Sequence, residues 1–295
     1  MKTQSILFGN GLNRLSDGAL SWDDLLREIA NQVFDKNIPP TLKYEAIILK
    51  QPYRAKTGEE EEAILKKEIA NRVSKFKSNE AYELIADLPV GHYMTTNYDN
   101  TLFEAKGGKK AIKRWNKKEQ LYSIVRSFTL GDEKKEQQYW PIHGNAVSPR
   151  SIMLGFDHYT GALSRIETYV KGGELTVLGK VTSIIKRLEN GIAEPTSWID
   201  LFFVSDVHII GLGIGFEEID LWWLLNKRQR IKQQDATLIQ NKIIYYPVDD
   251  VPNDQRQMLD AFDIEICDLP IKSRDYLQRY KQQLKNMKAR MLAAI

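Results

Sequence analysis

Ser5-Ile6-Leu7-Phe8-Gly9-Asn10-Gly11-Leu12-Asn13 is a short apolar run that ends in a glycine turn. The next segment, Trp22 to Phe34, carries apolar side chains at helical spacing, and Ser21 stands where a helix N-cap would sit. A strand, a glycine turn and a helix in this order bring bare backbone N–H groups up to a phosphate in doubly wound sheets. The stretch therefore predicts the α/β class, with a Rossmann-like doubly wound parallel sheet.

The same pattern recurs late in the chain, where Val207-His208-Ile209-Ile210 precedes Gly211-Leu212-Gly213 and a helical stretch over 217–226. Neither turn is a full dinucleotide fingerprint. Arg14 stands in place of the third glycine of the first turn, and the second turn has its third glycine one position early. Each turn by itself is a weak indication of nucleotide binding.

Two polar motifs lie between the turns: Thr95-Thr96-Asn97-Tyr98-Asp99 and His143-Gly144. Residues 89–96 are typical of a buried strand, and open α/β sheets place their ligands at the C-terminal ends of such strands. Asn97 is a neutral amide that can orient a water or bind a hydroxyl without losing a proton. His143 titrates near neutral pH, so it can accept a proton from water or a hydroxyl.

Each of these residues also has a purely structural explanation. Asn97 and Asp99 can close a strand as turn residues, because both types hydrogen-bond their own backbone, and His143 can be a structural histidine. For any one residue alone the structural explanation is favoured, whereas the whole set in order favours a functional site. His208, inside an apolar strand, is predicted to be structural. Asp220, after the second turn, is either a helix-face carboxylate or a support for that turn.

A glycine turn, a Thr-x-Asn-x-Asp box, a His-Gly pair and a second glycine turn, in this order, resemble the sirtuin family. The set is similar to the bacterial sirtuin-like NAD hydrolases of antiphage defence, in which the first turn also leads into a Trp such as Trp22. The resemblance spans roughly residues 5–250. It implies NAD as substrate, nicotinamide and ADP-ribose as products, Asn97 and His143 as the catalytic pair, and Asp99 at the nicotinamide carboxamide. The cofactor-binding residues that it implies are Gly9, Asn10, Gly11, Asn13, Thr95, Thr96, Gly211 and Gly213.

The chain departs from the sirtuin deacetylases in three ways. Residues 145–200 contain no cysteine, whereas the deacetylases carry a four-cysteine zinc module after the His-Gly pair. The interval from Asn97 to His143 is 46 positions, which requires a local insertion, and Asn13 stands where Ser is usual. The missing module argues against deacylation, and no zinc or other metal is expected. The alternatives are a non-catalytic module that senses NAD or ADP-ribose and, less favoured, a deacylase or ADP-ribosyltransferase.

The organisation predicted is a single sirtuin-like domain over residues 1–295, with a helical insertion at about 41–88 and a C-terminal helix at about 273–295. In the insertion, Ile64, Leu65, Ile69 and Val73 are predicted to form one apolar stripe. The C-terminal helix has a second stripe, and the residues leave open whether it packs on its own domain or on a neighbouring subunit. The second stripe consists of Tyr276, Leu277, Tyr280, Leu284, Met287 and Met291.

Six shorter segments complete the prediction. The stretch 106–118, with seven basic residues and no acid, is expected to be a connecting helix, either with a solvated face or with a patch for nucleic acid or an acidic partner. A polar loop is expected at 131–138. Strands are expected at 151–156, 201–203, 243–247 and 264–266.

The composition limits the classes of function. With 42 basic and 39 acidic side chains, the charge is too even to predict nucleic-acid binding. The single cysteine, Cys267, excludes an internal disulfide. No run of 18 uncharged apolar residues occurs, and the first strand starts almost at Met1, so we expect no membrane span, no signal peptide and a cytoplasmic location. The resemblance implies a homo-oligomer and, for relatives of this size, a hexameric DNA-translocase ATPase as a possible partner.

Overall fold

The central sheet is built around the first strand of the chain, β1 (Gln4–Phe8), which is buried along its whole length. The computed structural model describes residues 3–16, 18, 20–30, 34–35, 37–50, 58–108, 112–116, 121–132, 135–269 and 273–294. Within these residues the other strands of the sheet are β2 (His92–Thr95), β3 (Ile112–Asn116), β4 (Ser127–Asp132), β5 (Lys135–Pro141), β8 (Asp206–Ile210), β9 (Ile243–Tyr246) and β10 (Ile264–Ile266). A separate hairpin is formed by β6 (Gly173–Leu175) and β7 (Gly179–Val181).

The strand order is β10-β9-β8-β1-β2-β5-β4-β3. The strands from β10 to β5 run parallel, and β4 and β3 extend the sheet as antiparallel neighbours. The chain leaves β1 toward β2 on one side and later returns to β8 on the other. The order of the strands therefore reverses beside β1, which is where doubly wound sheets bind their ligands. The predicted Rossmann-like fold is confirmed.

Helices cover both faces of the sheet. They are α1 (Trp22–Ala30), α2 (Pro40–Lys50), α3 (Gly58–Val73), α4 (Glu80–Ala86), α5 (Thr101–Ala105), α6 (Phe156–Lys171), α7 (Ile184–Glu189), α8 (Trp198–Val204), α9 (Ile219–Gln234), α10 (Asn253–Ala261) and α11 (Tyr276–Ala294). Leu7 packs in the cluster beneath α6, α8 and α9, whereas Ile6 and Phe8 pack in the cluster beneath α4 and α11. Successive side chains of a strand point to opposite faces, so a strand covered on both faces is apolar at consecutive positions. None of the described helices is long and apolar enough to cross a membrane.

The described part of the stretch 41–88 is mainly helical and contains most of α2 and all of α3 and α4, with non-helical residues at 74–79 and 87–88. Leu65, Ile69 and Val73 are buried, but Ile64 is 63% exposed, so its place in the predicted stripe is wrong. The side chain of Lys66 points inward on the same helix and pairs with Glu62. Glu62 also bonds His158 of α6, which ties the insertion to the rest of the domain.

Three predicted elements are wrong. Residues 201–203 lie in α8 and not in a strand. Ser197 accepts a hydrogen bond from the Ile199 N–H and forms a capping box with Asp200, and these contacts start a helix that is buried on nearly all sides. Residues 131–132 and 135–138 are not a loop, because they belong to the paired strands β4 and β5, and residues 133–134 lie outside the described residues. Residues 151–156 form no strand in the described structure and begin with the last residue of a short 3-10 helix.

The basic stretch 106–118 also differs from its prediction, since residues 112–116 form β3 and not part of a connecting helix. Residues 109–111 and 117–120 lie outside the described residues. The described residues between Asn97 and His143 include α5 and the strands β3, β4 and β5, of which β3 and β4 extend the sheet with antiparallel strands. The local insertion in this interval stays a prediction.

The C-terminal stripe packs on its own domain. Tyr280, Leu284, Met287 and Met291 are buried in the cluster that includes β1 and α4. These four side chains are already covered by the protomer, so they do not form a surface for a neighbouring subunit.

Candidate functional site

A cleft of about 650 Å³ opens where β1, β2, β8 and β9 end. Five of the residues predicted to bind the cofactor line this cleft. Asn10 and Gly11 belong to the first glycine turn, Gly211 and Gly213 belong to the second, and Thr96 lies at the end of β2. Clefts of several hundred Å³ at such a position are the usual binding sites of nucleotides in open α/β sheets.

The glycines of the two turns pack against each other. The Gly11 N–H donates to the carbonyl oxygen of Gly211 at 2.8 Å. A Cβ on Gly9 or Gly11 would lie 2.9 or 2.8 Å from that carbonyl oxygen, and one on Gly11 would also meet the Tyr280 hydroxyl. By contrast, a Cβ on Gly213 would meet nothing within 4 Å. Gly9 and Gly11 are therefore required by the packing of the turns, whereas Gly213 leaves its backbone open to the cleft.

The second turn contains a strained residue that the sequence did not reveal. Ile214 has φ 46° with its side chain buried. A β-branched residue at positive φ is a rare conformation that costs free energy and is concentrated at binding sites. Ile214 also lines the cleft, so the strained residue lies within the candidate site.

The Thr-x-Asn-x-Asp box forms a buried hydrogen-bonded network with the first turn. The Asn13 side-chain amide donates to Asp99 at 2.6 Å and to Asn10 at 3.1 Å. The Tyr82 hydroxyl donates to Asn13 and accepts from the Asn97 amide. The Oδ1 atom of Asn97 is buried and has no hydrogen-bond partner in the described structure. The network fixes the amide of Asn97 while leaving its carbonyl oxygen free to bind a donor.

Among the residues of the box only Thr96 lines the cleft, and Thr95, Asn97 and Asp99 are buried. The Thr95 hydroxyl donates to the Phe8 carbonyl at 2.9 Å and accepts from the Asn97 N–H at 3.0 Å. Asp99 is buried and accepts from the Thr101 N–H at 2.9 Å. Burial raises the pKa of Asp99, although the hydrogen bonds from Thr101 and Asn13 oppose that shift. The side chains of Thr95 and Asp99 hold the end of β2 in place, and their predicted contact with a cofactor stays a prediction.

His143 lies at the same edge of the sheet as Asn97. Thr95 and Pro141 are register partners in β2 and β5, and Asn97 and His143 each follow two residues later. The next residue, Gly144, has φ 106°, and a Cβ there would lie 2.2 Å from the Ser151 carbonyl oxygen. Only glycine fits this turn, which explains the His-Gly pair.

Two acids and a tyrosine surround the imidazole of His143. Its Nε2 atom lies 2.9 Å from Asp220 Oδ2, and its Nδ1 atom lies 3.4 Å from the Tyr159 hydroxyl and 3.9 Å from Glu218 Oε2. Burial lowers the pKa of His143, but Asp220, helped by Glu218, outweighs burial and raises it above its usual value. Burial raises the pKa of Glu218 to about 7, and Asp220 and Glu217 add to this shift against the opposing effect of His143.

His143, Glu218 and Asp220 offer three ligand atoms within 4.8 Å of one another, which is close enough to surround a metal ion. The contact between His143 and Asp220 also has the length of an ordinary hydrogen bond. The expected absence of zinc therefore stays a prediction.

The charge on the cleft is uneven. Among the described residues its lining includes four carboxylates, from Glu217, Glu218, Asp249 and Asp250, and one cation, Arg14. Asp249 is paired with Arg279. The Arg14 side chain is exposed and lies near Tyr276 and Tyr280 of α11. The carboxylates suit a cationic group, and Arg14 suits a phosphate.

Sequence reasoning missed Tyr82, Tyr159 and Glu218, and it left Asp220 undecided. Tyr82 and Tyr159 come from α4 and α6, and no motif marks them. The signal for the acids was present but weak, since two carboxylates follow a glycine turn at the start of α9, where the helix dipole favours negative charge.

The fold and the cleft define an α/β protein of the Rossmann-like class. No protein-family model matches the chain. Three curated proteins similar to it carry the name NAD(+) hydrolase ThsA. The protein from Bacillus cereus (strain MSX-D12) is 25% identical over 169 residues, which is 57% of this chain and 33% of that protein.

The protein from Cytobacillus dafuensis is 22% identical over 232 residues, which is 79% of this chain and 39% of the relative. That from Enterococcus faecium is 23% identical over 155 residues, or 52% of this chain and 30% of the relative. The matched part of this chain thus covers between 30% and 39% of the length of these relatives. The predicted resemblance to sirtuin-like NAD hydrolases is confirmed by this similarity.

Proposed function

We propose that this chain hydrolyses NAD at the cleft and releases nicotinamide and ADP-ribose. The observation that carries the proposal is the register of β2 and β5, which brings Asn97 and His143 to one edge of the sheet beneath a cleft bordered by both glycine turns. The name of the similar proteins, NAD(+) hydrolase, supports the same reaction.

The charges of the cleft orient NAD. Its nicotinamide ring is cationic, so the ring lies at the end lined by Glu218, and the pyrophosphate lies by Arg14 and the open backbone of Gly213. Gly9, Gly11 and Asn13 shape the first turn for this contact. Thr96 lies where the ribose joined to nicotinamide passes the end of β2.

The reaction needs little from the protein, because nicotinamide leaves as a neutral molecule and the ribose becomes an oxocarbenium-like cation. Asn97 Oδ1, which has no hydrogen-bond partner in the described structure, orients the attacking water or a ribose hydroxyl. His143 exchanges a proton near neutral pH. Asp99 keeps Asn13 and the box in place, and its contact with the nicotinamide carboxamide is proposed from the resemblance alone.

The decisive experiment incubates the purified chain with NAD and measures nicotinamide and ADP-ribose by chromatography, with a protein concentration high enough to detect weak basal turnover. Equimolar release of both products supports hydrolysis. NAD binding without any product would instead identify a module that senses the nucleotide, and transfer of ADP-ribose to protein would identify a transferase.

The biological setting rests on the resemblance alone. NAD depletion in antiphage defence, cytoplasmic location, a homo-oligomer and a hexameric DNA-translocase ATPase as partner are its implications. An NAD hydrolase that was always active would exhaust the NAD of its host. The isolated chain should therefore hydrolyse NAD slowly, and the assembled protein should hydrolyse it faster. Comparing turnover with and without a candidate ATPase tests this directly.

A further inference from the structure

Glu218 lies between the cleft and His143, and the proposed function gives it no role in the chemistry. It lines the cleft, its side chain is 16% exposed, and its Oε2 atom is 3.9 Å from His143 Nδ1. That oxygen makes no hydrogen bond in the described structure. A buried acceptor without a donor is costly, so it calls for an explanation.

A structural role does not account for this carboxylate. Glu218 precedes the first residue of α9, where an acidic side chain commonly caps the helix. Its side chain makes no capping hydrogen bond. Its charged neighbours are two further acids, Glu217 and Asp220, and His143 at 3.9 Å, which is too far for a hydrogen bond.

The other buried oxygens without a partner in the described structure include two at the same edge of the sheet, Asn97 Oδ1 and Asp220 Oδ1. Asp220 uses its other oxygen to accept from His143. Acceptors without donors at one edge of the sheet suit a ligand that brings hydroxyl groups, a water and positive charge. The ribose of NAD during hydrolysis has all three properties.

We propose that Glu218 is a catalytic carboxylate that faces the ribose, stabilises its positive charge and takes the proton of the attacking water, while Asp220 positions His143 behind it. This inference rests on the proposed function and deepens it. It gives the site a base that lines the cleft directly.

The step balances without any further reactant. The bond between the ribose C1′ and the pyridine nitrogen breaks, and its electron pair neutralises the nicotinamide ring. The water oxygen bonds to C1′, one of its protons moves to the Glu218 carboxylate, and that proton later passes to solvent. Water and NAD enter, and nicotinamide, ADP-ribose and one proton leave.

The surroundings of Glu218 suit this role. The groups that face it are His143 after β5, Tyr98 after β2, Tyr159 on α6, and Glu217 and Asp220 beside it. Burial raises its pKa to about 7. A general base is most effective when its pKa lies near the working pH. Its proton occupancy is coupled to that of His143, so the pair titrates together.

The test uses the full chain and compares the wild type with Glu218→Gln. The matched control is Glu174→Gln, on the exposed hairpin strand β6, which removes one carboxylate far from the cleft. Turnover is measured from pH 5 to pH 9, NAD binding by calorimetry, and folding by thermal unfolding. We expect Glu218→Gln to lower turnover by about a hundredfold or more, to weaken NAD binding by a much smaller factor, and to lose the rise of the wild-type rate with pH near neutrality.

A second variant separates a catalytic role from a structural one. Glu218→Ala should regain part of its turnover when formate is added, because the small carboxylate can occupy the vacated space. If the wild type hydrolyses NAD and Glu218→Gln keeps its rate and pH profile, Glu218 is not catalytic, although the proposed function stands. If formate rescue fails for a folded Glu218→Ala variant, the inference is also overturned. If the wild type binds NAD and releases no product at any pH, the proposed function itself fails.

Discussion

His143 Nε2 and Asp220 Oδ2 lie 2.9 Å apart, and both side chains are buried. The carboxylate accepts the Nε2 proton, which leaves Nδ1 facing Tyr159 and Glu218. Asp220 stands 77 positions after His143 in the chain, so this pair exists only in the folded protein. The hydrogen bond to Asp220 fixes the orientation of the His143 imidazole ring.

Replacing Asp220 by Asn should impair turnover more than folding. The amide can present an N–H to Nε2 and so favour the wrong tautomer, and it removes the charge that raises the pKa of His143. We expect at least a tenfold fall in turnover and a shift of the His143 titration to lower pH. A histidine NMR titration measures that shift. The control is Asp206→Asn at the opposite end of β8, and equal losses of turnover in the two variants would contradict the pairing role.

Asn97→Ala and His143→Ala should both lose nearly all turnover, by about a hundredfold or more. Both should fold and retain at least part of their NAD binding, because the phosphates are held by the turns. As a control, His208→Gln should affect stability more than turnover, since His208 is buried in β8 and contacts Tyr246 and Gln4. A His143→Ala variant that hydrolyses NAD at nearly the wild-type rate would show that the sirtuin-like mechanism is wrong.

Gly213→Ala and Gly11→Ala should separate binding from folding. The new methyl of Gly213→Ala meets no atom within 4 Å, so the variant should fold normally and bind NAD about tenfold more weakly, which is about 1.4 kcal/mol. The new methyl of Gly11→Ala would lie 2.8 Å from the Gly211 carbonyl oxygen. This clash should lower the free energy of unfolding by about 1–3 kcal/mol. Calorimetric titration and thermal unfolding measure the two effects. Normal NAD affinity in Gly213→Ala would remove the second turn from the phosphate site.

Glu218→Gln should change stability in a pH-dependent way. The folded pKa of Glu218 is raised to about 7 from an ordinary 4.5, so the stability linked to its neutral form is present at low pH and is lost as the pH rises through about 7. Gln mimics the neutral acid at every pH. The variant should therefore unfold at a higher temperature than the wild type at pH 8, and at a similar temperature at pH 4.5. A difference that is the same at both pH values would contradict the raised pKa.

Removal of metal ions should leave the protein folded and its turnover intact. The chain has one cysteine, and the short contact between His143 and Asp220 is explained by a hydrogen bond. Dialysis against a chelator, followed by elemental analysis, thermal unfolding and an NAD assay, measures this. Unfolding on loss of stoichiometric zinc would reopen the deacylase alternative, and loss of turnover alone would assign a metal to His143, Glu218 and Asp220.

The sequence by itself determined the two glycine turns, the strands that precede them and the polar box at the end of β2. These are local properties, because apolar runs of strand length followed by Gly, Asn or Thr carry their structure in neighbouring residues. The Ser21 N-cap is one example, since its hydroxyl accepts from the Asp24 N–H as predicted. The C-terminal helix is another, although its sequence left open which surface its stripe would cover.

Only the tertiary structure decided which polar groups meet. The apolar run 201–203 suits a buried strand or a buried helix equally, and the capping contacts of Ser197 and the packing around it chose the helix. Tyr82, Glu218 and Asp220 joined the site because parallel strands end at one edge and bring distant loops together there. Burial in that edge also raises the pKa of Glu218, which is a property of its surroundings and not of the residue. Local pattern thus determined where the backbone opens to a ligand, and long-range packing determined which side chains can act on it.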